Sequence, residues 1–157
     1  MNSKVEERYF VSEKTMAFVP VFEETAQTLV YELGGRVVFT SMTPREIMSY
    51  ACMERGSTMQ GRHDAVKKRL GFKQKWPVPV DRLEDIYAFP LQSIRNPQNI
   101  WLFYHHVRDV KVHTKNSAYI FFMDGQQLKV PVSYYTVQQQ LLRTAHCQSV
   151  FQRYKTF

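Results

Sequence analysis

The stretch TLVYELGGRVVFTSMTPREIMSYACMERG (residues 28–56) carries the signals that decide the fold class. Its first half contains two β-rich runs, residues 28–33 and 36–40, separated by Gly34 and Gly35. A two-glycine connection between such runs predicts a hairpin, because the tight primed turns need positive φ. The first forty residues also contain a strand pattern at 16–19.

The second half of that stretch predicts a helix. Thr43 suits the N-cap, Pro44 suits the first helical position, and Glu46 is placed to close a capping box. Gly56 supplies a stop. The intervening residues form an apolar stripe at helical spacing, made of Ile47, Met48, Ala51 and Cys52.

The rest of the chain extends this alternation of helix and strand. A loop at 57–61 leads into a second, basic helix at 62–70 that Gly71 ends, and the proline-rich residues 76–80 should run extended. Further strands are predicted at 86–90, 100–107, 110–114, 118–123 and 127–132. Asp124-Gly125 predicts a second hairpin turn. Ser133 then caps a last helix, whose predicted buried face is Val137, Leu141, Ala145 and Phe151. The expectation is an α+β fold with a mainly antiparallel β-sheet, an N-terminal hairpin, two central helices and a C-terminal helix, forming one domain over residues 1–157.

The amino-acid composition limits the classes to which the protein can belong. A hydrophobic fraction of 44% and an aromatic fraction of 14% in 157 residues favour one packed core over disorder. The longest apolar runs are too short to span a bilayer, so no membrane association is expected. Two cysteines suggest no disulfide framework, and no export signal is apparent, so we expect a cytoplasmic protein with reduced thiols.

Positive charge is concentrated in RHDAVKKRLGFKQKWPVPVDR (residues 62–82). This window carries a net charge of +5, and the whole chain carries +7. Residues 143–157 add Arg143, Arg153 and Lys155 without an acid, whereas residues 1–32 are net acidic. A dense basic patch creates a field that attracts a polyanion, which predicts nucleic acid as the partner.

The predicted DNA-binding residues come from this window and its flanks. Lysines and arginines neutralise phosphates, and Gly61 would let the backbone approach one. For the narrow A/T-rich minor groove that the family resemblance given below implies, Arg62 is the first candidate for insertion. Ser57 and Thr58 could donate hydrogen bonds to phosphate or simply cap the second helix, and the basic run could be a solvated face. The full set is Ser57, Thr58, Gly61, Arg62, Lys67, Lys68, Arg69, Lys73, Lys75 and Arg143.

Other chemistry finds little support in the sequence. His105 and His106 would point to opposite faces of the predicted strand, and no histidine or cysteine has recognised metal-ligand spacing, so we expect no metal and no cofactor. A GxSxG nucleophile elbow and a phosphate-binding loop are both missing. The chain is therefore expected not to be an enzyme.

Several segments between residues 43 and 151 resemble the competence transcription factor (ComK) family of Gram-positive bacteria. The resemblance rests on MTP (42–44), GSTMQGR (56–62), YAFPLQS (87–93), Trp101 with His105 and Val107, and VPVSY (130–134) followed by Gln139 and Arg143-Thr144-Ala145. It implies a DNA-binding transcription activator of DNA-uptake genes that recognises A/T-rich boxes largely through the minor groove. It further implies oligomerisation on double-stranded DNA and contact with RNA polymerase.

Two departures from the family pattern limit which family properties can be expected of this chain. Met59 stands where the family has tyrosine. The family's tail, which carries a segment recognised by the adaptor of a Clp protease, has no counterpart in these residues, so a short or C-terminally trimmed member without adaptor control is expected. Two other functions stay open: a degenerate paralogue that acts as a protein-interaction and oligomerisation module, and a single-stranded nucleic-acid binder. The second needs exposed aromatics among basic residues, whereas the aromatic runs here are read as core.

Overall fold

The computed structural model describes residues 4–152, and its elements alternate as the sequence predicts. The strands are β1 (Val5–Glu6), β2 (Thr15–Pro20), β3 (Thr28–Glu32), β4 (Arg36–Thr40), β5 (Val78–Asp81), β6 (Ile86–Pro90), β7 (Trp101–Phe103), β8 (Val107–Thr114), β9 (Ser117–Phe122) and β10 (Gln127–Val130). The helices are α1 (Pro44–Glu54), α2 (Met59–Leu70) and α3 (Tyr134–Gln152), with a 3-10 turn at Tyr104–His106. No helix within residues 4–152 is long and apolar enough to cross a membrane.

The strands form two sheets. A seven-stranded sheet has the order β1-β4-β3-β2-β7-β6-β5, and a three-stranded sheet has the order β10-β9-β8. The pairing is antiparallel except between the short β1 and β4. The predicted α+β class with a mainly antiparallel sheet is confirmed.

Both hairpin turns and the first helix cap form as predicted. Gly34 and Gly35 have φ of +90° and +84°, and β3 pairs with β4 from Glu32–Arg36 outward. At the start of α1 the Thr43 hydroxyl accepts from the Glu46 amide, and the Glu46 carboxylate accepts from the Thr43 amide. The four apolar residues predicted for this helix are its buried residues.

The large sheet is packed on both faces. On one side α1 covers Phe18, Trp101 and Phe103, and on the other Leu102 packs against the small sheet and the start of α3. A third apolar cluster lies between α2 and α3, around Val66, Tyr87, Cys147 and Phe151. This last cluster sets the relative position of the two helices that carry the predicted DNA-binding residues.

Three details of the prediction were wrong. The second helix begins at Met59 rather than at residue 62, because Thr58 caps it. The predicted strand 100–107 is interrupted by the 3-10 turn, so His105 and His106 do not lie on a strand. The buried face of α3 is Val137, Gln140, Thr144, Cys147 and Phe151, whereas Leu141 and Ala145 are only partly buried.

Candidate nucleic-acid interface

Helix α2 is fixed at both ends by local hydrogen bonds. The Thr58 hydroxyl accepts from the Gly61 amide at 2.9 Å, and Gly71 ends the helix with φ of +73° while its amide donates to the Lys67 carbonyl at 2.9 Å. A Cβ on Gly61 would lie 3.1 Å from the Thr58 hydroxyl oxygen. The cap thus places Gly61 in the first helical turn rather than in the predicted loop.

The ten predicted contact residues fall into two groups at opposite ends of α2. A helix of 12 residues is about 18 Å long. Ser57, Thr58, Gly61 and Arg62 are at its beginning, and the remaining six belong to its last turn, the following loop and α3. Arg153 and Lys155, which the sequence adds to the basic surface, lie outside the described residues.

Arg62 faces the protein rather than solvent. Its Nε donates to the Pro79 carbonyl at 2.8 Å and its Nη2 to the Val80 carbonyl at 3.1 Å, both on β5. Its Nη1 donates to the carbonyl and the hydroxyl of Ser57 at 2.7 and 2.6 Å. A guanidinium has five N–H donors, so four of them have acceptors within the protein, two on β5 and two on the exposed Ser57. A groove contact by Arg62 stays a prediction.

The Thr58 hydroxyl accepts a bond as a helix cap, and the Ser57 hydroxyl accepts one from Arg62. The capping alternative is thus realised at Thr58. Both residues are exposed, and in these bonds each hydroxyl acts as acceptor, which leaves its own proton for another acceptor. A phosphate contact at Ser57 and Thr58 stays a prediction.

The last turn of α2 presents three consecutive basic residues, Lys67, Lys68 and Arg69, and all are exposed. The Arg69 guanidinium carbon lies 5.5 Å from the Phe151 ring centroid, on the side facing α3. Cations here also interact favourably with the carbonyl end of the helix dipole, which is a structural reason for their position. Asp64, three and four residues earlier on the same helix, partly offsets Lys67 and Lys68.

The loop after α2 is held against α3 by Arg143 and Gln140. Arg143 stacks over the Phe72 ring, with its guanidinium carbon 4.2 Å from the centroid, and donates to the Gln74 carbonyl at 2.6 Å. Gln140, which is buried, donates to the carbonyls of Lys75 and Pro90 at 3.0 and 2.6 Å. Its side-chain oxygen accepts from Arg143 at 2.7 Å. Sequence reasoning missed Gln140, although its spacing of three from Val137 is compatible with the same helix face.

This arrangement brings two cations together at Lys75. Burial lowers the pKa of the Lys75 ammonium, and the Arg143 charge lowers it further. Burial also lowers the pKa of Arg143. Lys75 has φ of +51°, an uncommon conformation for a residue with a side chain. No Asp or Glu occurs in residues 65–80 or 134–152, so this surface carries lysines and arginines that the neighbouring sequence does not balance.

Trp76 and His63 make their contacts within the protein. Trp76 is partly buried, its ring lies 5.1 Å from that of His63, and its Nε1 donates to the Phe72 carbonyl at 2.6 Å. Within residues 4–152 no group of three histidine, cysteine or acidic side chains is placed to hold a metal ion. Cys52 and Cys147 are buried, unpaired thiols in different clusters, and burial raises the pKa of Cys147 to about 12.

Comparison with known proteins gives one consistent result. Residues 6–155 match the family model described as ComK protein. The competence transcription factor of Bacillus subtilis (strain 168) is 28% identical over 148 residues, which cover 93% of this chain and 76% of that protein. No solved structure gives a significant match.

Proposed function

This chain belongs to the ComK family, and we propose that it is a DNA-binding transcription regulator that activates competence genes in the cytoplasm. The observation that carries the DNA contact is that α3 holds Lys75 next to Arg143: Arg143 donates to the Gln74 carbonyl at 2.6 Å, and Gln140 donates to the Lys75 carbonyl at 3.0 Å. Lys67, Lys68, Arg69 and Lys73 extend the same basic surface along the end of α2 and the loop that follows it.

A phosphate is the ligand that this surface fits best. Two cations held close together repel each other, and an anion placed between them removes that repulsion. The contacts made by Gln140 and Arg143 fix the loop in advance, so little ordering is needed on binding. Exposed lysines around this point neutralise further phosphates and release their counterions. We assign these residues to backbone contacts, which position the protein but carry no sequence information.

The finer parts of the proposal concern recognition. We propose that the protein binds A/T-rich boxes largely through the minor groove, as a dimer or higher oligomer, and acts on RNA polymerase from there. A narrow A/T minor groove has an enhanced negative potential that favours inserted basic side chains. Because the Arg62 guanidinium is engaged inside the fold, we assign the groove to the exposed Lys73 and its loop rather than to Arg62.

Titration of labelled duplexes tests the proposal. A duplex with two A/T boxes is compared with a scrambled duplex at two salt concentrations, with netropsin as a minor-groove competitor. The double variant Lys67→Ala/Lys68→Ala should bind more weakly, and its slope of log affinity against log salt should be smaller by about 1.8, since each phosphate contact contributes about 0.9. Lys14→Ala, which removes an exposed lysine from the turn before β2, is the control.

Two results would contradict the proposal. Absence of any preference for the A/T duplex would leave a protein-interaction module as the better description of the chain. An unchanged affinity and salt slope in the double variant would show that the contact surface lies elsewhere. Displacement by a major-groove ligand instead of netropsin would overturn the groove assignment alone.

A further inference from the structure

The outer face of the small sheet breaks the usual pattern of a solvated β-surface. In β9, Ala118, Ile120 and Phe122 are buried against the core. The alternate residues Tyr119 and Phe121 point to the other face and are only partly buried. An antiparallel sheet with one solvated face normally places polar residues there, so two aromatic rings on the central strand need a reason. Ile120 and Phe122 fit the prediction that this aromatic run belongs to the core, whereas Tyr119 and Phe121 are only partly buried.

Basic side chains surround these two rings. Lys111 on β8 and Lys129 on β10 both lie directly opposite Tyr119, one on each side, and both are exposed. The Lys111 ammonium is 5.3 Å from the Phe121 ring centroid, and the His113 ring packs edge-on against Tyr119 at 4.8 Å. The surface formed by Tyr119, Phe121, Lys111, Lys129 and His113 is called here the aromatic platform.

The platform carries one acid, Asp109, which lies opposite Phe121 on β8. One of its carboxylate oxygens accepts from the amide of Val110 at 2.8 Å, so this carboxylate is partly occupied by its own backbone. The two lysines therefore leave a positive balance next to the aromatic rings. A single-stranded nucleic-acid binder needs aromatic rings among cations on its surface, and the sequence was expected to lack them. Tyr119 and Phe121, although partly buried, provide such rings on this face.

We propose that the aromatic platform binds single-stranded nucleic acid, with unpaired bases stacked on Tyr119 and Phe121 and phosphates paired with Lys111 and Lys129. Bases in a duplex are already stacked on one another, so flat rings on an open sheet are useful only to bases that are unpaired. The ring centroids of Tyr119 and Phe121 are 6.5 Å apart, with planes inclined by 49°. The two rings are therefore not stacked on each other, and we assign one base to each.

The platform is separate from the duplex-binding surface proposed above. The latter is built on α2, its following loop and α3, whereas the platform is the face of the small sheet that points away from the core shared with α3. The two proposals thus depend on different residues. Either can fail without the other.

Fluorescence anisotropy with a labelled oligothymidylate of about a dozen nucleotides, long enough for a typical single-strand site, is the direct test. Phe121→Leu keeps an apolar side chain but removes the flat ring, and we expect binding to weaken on the order of tenfold. Phe121→Trp should retain or strengthen binding, and its indole emission should be quenched as the oligonucleotide is added. Oligouridylate in a parallel titration shows whether a 2′-hydroxyl matters.

The charged residues are tested separately. Lys111→Ala/Lys129→Ala should weaken oligothymidylate binding and reduce its salt slope by about 1.4, because each contact to a single strand contributes about 0.7. Lys115→Ala is the matched control, since this exposed lysine lies in the turn between β8 and β9. Circular dichroism melting of each variant identifies any loss of folding.

Variants of one surface should affect only the nucleic acid that this surface binds. The platform variants should lose oligothymidylate and keep the A/T duplex, and Lys67→Ala/Lys68→Ala should do the reverse. The inference is overturned if the wild-type protein does not bind oligothymidylate. It is equally overturned if folded platform variants bind it normally, or if they lose the duplex instead of the single strand.

Discussion

Replacing Arg62 by methionine should destabilise the fold and leave most of the DNA affinity in place. The substitution keeps the aliphatic stem but removes the donors that bind the Pro79 and Val80 carbonyls and Ser57. A hydrogen bond to a charged group contributes about 1.5–3 kcal/mol. The two bonds to β5 are partly buried and line an open cavity, where water can replace the lost donors, so the lower value applies to each.

This reasoning gives a loss of about 3 kcal/mol in the free energy of unfolding. For a chain of this size each kcal/mol shifts the melting temperature by about 2–4 °C, so Arg62→Met should melt about 6–12 °C below the wild type. Typical domains unfold with about 5–15 kcal/mol, and the variant should therefore remain folded at 25 °C. Its duplex affinity can then be measured on the native state.

Urea denaturation and duplex titration of the same preparations separate stability from binding. Lys68→Met is the matched control, because it removes a positive charge from an exposed position of the same helix. We expect it to lower the urea midpoint much less than Arg62→Met does, and to reduce the salt slope of duplex binding by about 0.9. The reasoning is refuted if Arg62→Met leaves the urea midpoint unchanged and abolishes duplex binding, as a groove-inserted arginine would.

Three further predictions follow from neighbouring parts of the molecule. Lys75→Gln should weaken duplex binding more than Lys14→Gln does in the same anisotropy titration, because it removes one of the two adjacent cations; equal effects would contradict a phosphate site there. Gln140→Leu leaves the Lys75 and Pro90 carbonyls without their donor and should lower the free energy of unfolding by about 1–3 kcal/mol in urea denaturation; an unchanged midpoint would show that these bonds contribute nothing. Burial lowers the pKa of His63 below 6.5, while Asp64 raises it and Arg45 lowers it to smaller extents, so the unfolded chain takes up the proton more readily. The contribution of His63 to the free energy of unfolding should therefore be fully present above about pH 6.5 and decrease below that pH, by at most about 1.4 kcal/mol per pH unit. His63→Leu should reduce this pH dependence when urea denaturation is measured on either side of pH 6.5. An undiminished slope would assign the pH dependence to other groups.

The features that the sequence predicted correctly depend on residues close together in the chain. Gly34-Gly35 and the Thr43–Glu46 capping box need only three or four neighbouring residues, and the structure contains both. The apolar stripe of α1 is also a local pattern, since one face of a single helix defines it. Such signals are complete before any tertiary contact is known.

The features that were missed depend on distant partners. The run at 100–107 reads as one strand, but at Tyr104–His106 the chain leaves the large sheet for the small one, where the His106 ring contacts the Glu13 carbonyl at 2.6 Å. Gln140 is buried because two carbonyls, 65 and 50 residues earlier in the chain, accept from it. No local pattern contains those partners, and the predicted buried face of α3 therefore omitted Gln140.

The basic window at 62–82 combines two kinds of cation that a charge count does not distinguish. Arg62 donates to carbonyls of β5, Arg82 donates to the Phe151 carbonyl at 3.0 Å, and Arg55, just before the window, donates to the Val11 carbonyl at 3.0 Å. A planar guanidinium suits this use, because its donors are fixed in a fork and it is less strongly hydrated than an ammonium.

The carbonyls that accept from Arg62 and Arg82 do not neutralise the charge, so these two arginines still contribute to the long-range field that attracts a polyanion. Arg55 also forms an ion pair with Asp81 at 3.0 Å, which offsets its charge. The donors of Arg62, however, are largely occupied within the protein, which disfavours a bidentate contact between Arg62 and a phosphate. Direct contact is therefore left mainly to Lys67, Lys68 and Lys73, which are exposed, and to Lys75 beside Arg143. The clustering of charge along the sequence thus reflects both the assembly of α2 against β5 and the proposed attraction of DNA. Only the cations of the proposed contact surface, Arg69 and Arg143 among them, should contribute to the salt slope.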